Sequence, residues 1–208
     1  MADISHASLP DERLHQPKGA ASAASAASDT WLRANGDGTT TFSSLPTSEL
    51  QVVDSISSLS LASQQLASEG DEAQITFGTP ETSASGSVAI GSDGSITFNE
   101  SGIYSITLNR NVTRSANNSI NTVAFSVRLN GTQVTETALA SLDNADPGLG
   151  LGSSGTGILQ ATAGDVLTYH MLYLEGNAGT IGISPATVAA TGWGNVPSAQ
   201  VSISKLEV

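Results

Sequence analysis

The stretch Gly94-Ser-Ile-Thr-Phe-Asn-Glu-Ser-Gly-Ile-Tyr-Ser-Ile-Thr-Leu108 decides the fold of this 208-residue chain. After Gly102, apolar side chains occupy every second position, at Tyr104, Ile106 and Leu108. Successive side chains of a strand point to opposite faces, so the pattern predicts a β-strand with one buried face and one polar face. Asp93, which precedes the stretch, forms with Gly94 a tight-turn signal that leads into a shorter strand.

The same alternation recurs along residues 73–208. Val123–Leu129 places Val, Phe, Val and Leu on one face, and an Asn-Gly hairpin signal follows it. Ala163-Gly-Asp165 is another turn signal, and Ala199–Val208 is an alternating strand at the end of the chain. Strands that are buried on one face build two-sheet sandwiches. We therefore expect an all-β domain, a β-sandwich, over residues 73–208.

The composition suits such a fold and argues against several classes of function. Charged residues are only 12% of the chain, and the net charge is −12 with seven Lys and Arg. This balance argues against nucleic-acid binding and against attachment to an anionic membrane. The chain has no cysteine, which excludes disulfides, thiolate nucleophiles and Cys-type zinc sites. We expect no enzyme activity, no cofactor and no metal ion.

Residues 1–46 are unlike the rest. They contain an Ala/Ser run over residues 19–28 and few large side chains, so they cannot build a core alone. The alternatives are a disordered tail and an extended arm that lies along another surface, and we favour the arm. The start has no secretory signal, so synthesis in a cytoplasm is expected. The anchors predicted for the arm are Leu14, His15, Pro17, Lys18, Gly19 and Trp31.

Residues 47–72 predict a linker with a short helix. Val52, Ile56, Leu59 and Leu66 follow an alternating 4–3 spacing that is typical of a helix face, with Ser63 at the skipped position. The competing interpretation is a strand at Leu50–Val53 followed by a loop, because Ser and β-branched residues are common here. The helix is slightly favoured.

The strand expected at Val166–Leu174 is apolar on both faces. The outer face of a sandwich sheet normally meets water, so a doubly apolar strand needs a second cover. A neighbouring subunit is the simplest cover. The residues assigned to that interface between subunits are Leu167, Tyr169, Met171 and Tyr173.

The candidate chemical sites all have a more ordinary interpretation. Asp165 lies in a turn and His170 in a strand, so a Ser-His-Asp triad is not expected. Asp143, Asn144 and Asp146 have calcium-type oxygens but lack the full calcium-loop spacing. A solvated turn is favoured there.

Two glycine-rich loops are expected, at residues 143–157 and 176–197. Loops of this length are commonly functional or interface-forming. They are therefore the candidate contact segments of the domain.

The quoted stretch resembles the signature of the jelly roll shared by complement globular heads and tumour-necrosis-factor proteins. Val123–Gly131 is similar to that family's strand ending in an Asn-Gly turn, and Ala161–Leu167 to its strand entry. Gly192-Trp-Gly194 and Ser198–Ile203 resemble its closing segment. The resemblance implies a jelly-roll β-sandwich that packs as a homotrimer around a threefold axis.

Phage particles carry many such jelly rolls, and Leu14–Gly19 with the Ala/Ser run is similar to the arms of phage head proteins. The resemblance implies a virion structural protein made in the host cytoplasm. It would be a trimeric head decoration protein or head fibre on the capsid surface, and its arm would bind the major capsid protein. One alternative is a tail-fibre adhesin that recognises a host surface glycan. The other is a monomeric binding module with a disordered tail.

Overall fold

Strands make up all the regular structure of the described residues. The structure is a computed structural model that describes residues 30–34, 40–44, 51–115, 120–142, 150–176 and 179–207. Within these ranges no helix is present, so the described residues contain no helix that could cross a membrane. The chain forms two compact units, Met1–Glu49 and Leu50–Val208.

The first unit contains an antiparallel hairpin. Its strands are β1 (Thr30–Ala34) and β2 (Thr40–Ser44), and Thr30 lies opposite Ser44. Trp31, one of the predicted anchors, therefore lies on a strand with its backbone paired to Ser43. The other predicted anchors, Leu14, His15, Pro17, Lys18 and Gly19, lie outside the described residues.

The second unit is a sandwich of antiparallel strands, as the alternating patterns predict. Its strands are β3 (Gln51–Ser60), β4 (Gln64–Leu66), β5 (Glu72–Gln74), β6 (Glu81–Thr82), β7 (Val88–Ile90), β8 (Ile96–Phe98), β9 (Gly102–Arg114), β10 (Asn121–Leu129), β11 (Thr132–Gln133), β12 (Ala138–Leu142), β13 (Leu151–Ala161), β14 (Val166–Glu175), β15 (Ile181–Ile183) and β16 (Ala199–Glu207).

The described strands divide between two sheets. The first sheet has the order β11-β10-β14-β8-β7-β6, with β12 also paired to β10 and β5 to β14. The second has the order β3-β16-β9-β15-β4, with β13 also paired to β9. Strands distant in sequence lie side by side, as when the final strand β16 pairs with both β3 and β9.

The core lies between the two sheets and contains the apolar face of the quoted stretch. Tyr104 is fully buried, and its ring centroid lies 4.6 Å from that of Phe98. The rings of Phe77 and Tyr169 meet edge to face, with their centroids 6.1 Å apart. Aromatic pairs favour such tilted and edge-on geometries. The alternation from Gly102 onward is thus confirmed as one buried face and one outer face.

Two of the predicted turns have the backbone geometry that their residues favour. Asn130 and Gly131 have φ angles of 51° and 80°, as a two-residue hairpin turn requires. Gly94 has a φ of 85°, and a Cβ built there would lie 1.9 Å from the carbonyl oxygen of Ile75. Glycine is needed at Gly94 both for its φ angle and for this close backbone approach.

The helix predicted within residues 47–72 is wrong. The segment forms β3 and β4, and the second compact unit begins at Leu50 rather than at residue 73. Ile56, Ser58 and Ser60 are the buried positions of β3, so the true period is two. The interior accepts these serines because both side chains form hydrogen bonds with the backbone, and Ser60 Oγ accepts one from the N–H of Ala62 over 3.2 Å. Ser58 donates to the oxygen of Phe77 over 2.7 Å.

The glycine-rich segment 143–157 is not a single loop. Its second part belongs to β13, which pairs with β9 from Leu151 to Ala161. Glycine is depleted in strands, so its abundance concealed this one. Similarly, residues 176–197 contain the short strand β15.

Candidate interaction face

Four neighbouring strands of the second sheet, β3, β16, β9 and β13, present an outer face without charge. The register sets Thr107 of β9 opposite Ser202 of β16 and Thr156 of β13, and Ser202 opposite Ser57 of β3. Residues directly opposite each other share a face. We call this surface the uncharged face, and its residues are Val52, Ser55, Ser57, Leu59, Ile103, Ser105, Thr107, Asn109, Ser154, Thr156, Ile158, Gln160, Gln200, Ser202, Ser204 and Leu206.

The centre of the uncharged face carries small hydroxyl side chains. The Oγ1 atoms of Thr107 and Thr156 are 2.9 Å apart and hydrogen-bond across the two strands. Larger apolar side chains lie toward its margins, where Ile158 is 71% exposed and Leu59 and Val52 are also exposed. Depletion of charge and exposed apolar groups are features of the cores of protein interfaces. The face is therefore suited to contact with another protein surface.

The outer face of the first sheet is different because it carries charge. Arg128 and Glu72 form an ion pair with a nitrogen–oxygen distance of 2.7 Å. His170 Nδ1 lies 3.0 Å from the same carboxylate, and its Nε2 lies 3.0 Å from Thr168 Oγ1. Burial, and then the charge of Arg128, lower the pKa of His170, although Glu72 opposes the change. The imidazole is held in place by these partners.

The residues predicted for the trimer interface lie elsewhere. Leu167, Tyr169, Met171 and Tyr173 are all buried in the core of a single chain. They point inward from β14 and pack against the opposing sheet, so they cannot cover a partner. Their assignment to a subunit interface is wrong, because the sequence shows two apolar faces of a strand but not which face meets the core.

The opposite face of β14 is only partly apolar. Thr168, His170 and Leu172 are half-buried, and Leu174 is exposed. Part of their cover comes from the same chain, because Glu72 of the neighbouring strand β5 contacts His170. The inference of a second subunit from this strand is therefore weakened.

Asp165 and His170 do not meet. Asp165 accepts hydrogen bonds from Asn130 Nδ2 and from the backbone N–H of Thr162, each at 2.8 Å. These bonds lower the pKa of Asp165, with Asn130 as the larger cause. The carboxylate stabilises its turn and the neighbouring hairpin turn, so it has a structural role.

The residues of the predicted acidic loop, Asp143, Asn144 and Asp146, lie outside the described residues. Among the residues that are described, no group of three or more His, Cys, Asp or Glu side chains is placed to hold a metal ion.

The sequence patterns did not single out Trp193 as a surface aromatic. Its side chain is 74% exposed in the segment between β15 and β16, with a glycine on each side. Gly192 has a φ of 85°. A tryptophan between two glycines in a loop is the signal that could have identified it.

Comparison with known proteins gives a likeness of fold only. No family model matches the chain, and no curated protein matches it. Solved structures with a similar fold include murine APRIL at pH 8.5, with 10% identity, coverage of 73% of this chain and 98% of that chain, and a TM-score of 0.42. Murine APRIL at pH 5.0 has 11% identity, the same coverages and a TM-score of 0.44. The globular domain of zebrafish complement 1qA protein has 14% identity, coverages of 74% and 96%, and a TM-score of 0.40. At these scores the likeness carries no argument about function.

Proposed function

We propose that this chain is a non-enzymatic structural protein of a bacteriophage particle, a trimeric head decoration protein or head fibre. Its sandwich, a jelly roll of the complement-head and tumour-necrosis-factor type, associates with copies of itself. Its N-terminal 46 residues bind the major capsid protein. The role depends on burial of surface and on avidity rather than on bond-making chemistry.

The observation that supports self-association is the uncharged face. A chain with a net charge of −12 repels its own copies wherever like charges meet. The uncharged face avoids that repulsion, because Asp, Glu, Lys and Arg are absent from its residues. Hydroxyl groups such as those of Thr107 and Ser202 can exchange hydrogen bonds with a partner, which offsets the cost of removing them from water.

The attachment to a particle is supported by the sequence of residues 1–46. The segment is rich in Ala and Ser and has few large side chains, so it offers little apolar surface for a core and is suited to lie along another surface. Three arms on one trimer would bind together, because the second and third attach at high effective concentration. A protein that binds only the assembled shell stabilises that shell.

The particle location can be tested with an antibody raised against residues 50–208. Intact virions would be labelled and viewed by electron microscopy. Label spread over the head is the expected result, whereas label confined to the tail tip would contradict head decoration. Deletion of residues 1–46 should abolish attachment while the sandwich remains folded, and attachment that survives the deletion would exclude the arm as the anchor.

A tail-fibre adhesin is the second candidate, and Trp193 is the observation that favours it. Exposed aromatic rings on loops provide flat apolar surfaces on which a sugar can stack. If the chain is an adhesin, it should bind to a glycan array and Trp193→Ala should abolish the binding. Trp31→Ala is the matched tryptophan control, and a full-length chain that binds no glycan would rule this function out.

A further inference from the structure

A cavity of about 370 Å³ lies between the two sheets, at the end bounded by β13, β10 and the β11–β12 segment. It exists because of two glycines. Gly155 lies opposite Leu108 and Gly157 opposite Ile106, so both occupy core-facing positions of β13. Neither fills that position with a side chain, and a Cβ at either would meet no atom within 4 Å. The cavity falls within the range of about 300–1,000 Å³ that is usual for small-molecule sites.

Arg110 is the polar group of this cavity. It follows Leu108 on the inward face of β9, and its guanidinium carbon lies 4.0 Å from the ring centroid of Phe125. Its NH2 group donates to Ser153 Oγ over 3.1 Å, whereas its Nε is buried and has no hydrogen-bond partner in the structure. Among the described residues no carboxylate lies within ion-pairing distance of it. Arg110 as a whole is half-buried, but its Nε–H is a buried donor without a partner, and such a donor is costly unless a ligand acceptor joins it.

The remainder of the wall is mostly apolar. The inner wall includes the side chains of Ile106, Leu108, Val127 and Leu167. Tyr169 also faces the cavity, and burial raises its pKa to about 12 although the charge of Arg110 opposes the change. Its phenol therefore stays neutral and can donate a hydrogen bond to an anion.

We propose that this cavity binds a small amphipathic carboxylate, whose carboxylate pairs with Arg110 and whose apolar body lies between the sheets. The planar guanidinium matches a carboxylate because it offers parallel N–H donors. Glu136 lines the cavity and is exposed, so a ligand with a second negative charge is disfavoured. The net charge of −12 acts at longer range and is screened beyond about 8 Å in physiological salt.

The test uses calorimetric titration of the full chain with decanoate, below the concentration at which it forms micelles, and with decanol as the uncharged match. Decanoate should bind saturably and at least tenfold more tightly than decanol. Each methylene removed from the acid should weaken binding about fourfold, as expected for a buried CH₂. Absence of saturable decanoate binding, or equal binding of the alcohol, would overturn the proposal.

Variants locate the ligand. Arg110→Gln should remove the preference for acid over alcohol, while Arg110→Lys should retain part of it. Gly155→Leu should fill the cavity and weaken decanoate binding at least tenfold, and its melting temperature should not fall because the added side chain has room. If Gly155→Leu leaves the affinity unchanged, the ligand binds elsewhere. If only dissociated chains bind decanoate, a second copy occupies the cavity in the assembly, and the proposal is wrong.

Discussion

At the scale of single residues, Gly94 is the described glycine at which an added Cβ would make the shortest contact. Its φ is 85°, and an added Cβ would collide with the backbone oxygen of Ile75. A left-handed φ costs a residue with a side chain about 1–2 kcal/mol, and forced repacking adds about 1–3 kcal/mol. Gly94→Ala should therefore lower the free energy of unfolding by about 3 kcal/mol, measured by urea denaturation.

Gly86 is the matched control for that prediction. It has a φ of 77°, but a Cβ there would meet no atom within 4 Å. Gly86→Ala should therefore lower the free energy of unfolding only by the cost of the left-handed φ angle, about 1 kcal/mol. Equal losses for the two variants would show that the contact with Ile75 has no energetic consequence.

Asp54 supplies a prediction about acid stability. Burial raises its pKa, but hydrogen bonds from the hydroxyls of Ser85, Ser87 and Ser83 outweigh that effect and lower the pKa to about 2, from a usual value of 3.8. A depressed carboxyl pKa stabilises the folded state above pH 3.8, and this contribution is lost as the pH falls toward 2. After allowance for solvent screening, the contribution is about 1 kcal/mol.

Asp54→Asn should thus be less stable than the parent at pH 7 by about 1 kcal/mol. The difference should shrink as the pH falls from 4 through 2 and should vanish only below 2, where the Asp54 carboxyl is neutral like the amide. Denaturant titrations at several pH values measure it. A difference that is constant across this range would mean that the carboxylate charge is not the stabilising group.

At the scale of elements, a comparison of β3 with β9 and β10 shows when the sequence pattern predicts a strand and when it does not. Strands with strict alternation of large apolar residues, such as β9 and β10, are predictable because each inward position is marked by a large side chain. β3 buries Ile56 together with Ser58 and Ser60, and its outward positions include Leu59. Hydrophobicity therefore gives the wrong period, because the buried serines are accommodated by tertiary contacts that a single sequence does not display.

The sequence pattern does not predict β13, for a related reason. Its core-facing positions include glycines, which are not hydrophobic, whereas the hydrophobic Ile158 faces outward. The assignment of interface residues on β14 was wrong for a different reason. An apolar residue on a strand can be covered either by its own chain or by a partner, and the sequence does not distinguish the two. The uncharged face was not predictable, because it depends on the register of four strands that are distant in sequence.

The truncation experiment follows from the membership of β3 in the second sheet. A chain of residues 50–208 should melt cooperatively, as a complete sandwich does. A chain of residues 73–208 lacks β3 and β4, exposes the edge of β16, and loses the burial of Ile56 and Leu66. Two such side chains contribute about 4 kcal/mol, so its melting temperature should fall by about 10 °C or more. Circular dichroism on heating measures this, and equal melting temperatures would contradict the assigned role of β3.

At the scale of the whole molecule, the charge is distributed unevenly between the two faces of the sandwich. The first sheet carries the cluster of Glu72, Arg128 and His170 on its outer side. The second sheet carries hydroxyl and apolar groups. Solubility at a net charge of −12 does not require a sheet face to lack charge. We therefore attribute the absence of charge on the uncharged face to contact with another surface.

The mass of the full chain in solution tests this central claim most directly. Sedimentation velocity at micromolar concentration should show a species of about three times the 21.0 kDa of one chain. Thr107→Lys, which places a charge in the middle of the uncharged face, should return the protein to a folded monomer. Thr97→Lys, the same change on the outer side of β8 in the first sheet, should leave the assembly intact. A parent chain that sediments as a 21.0 kDa monomer, or a Thr107→Lys variant that stays assembled, would contradict the account.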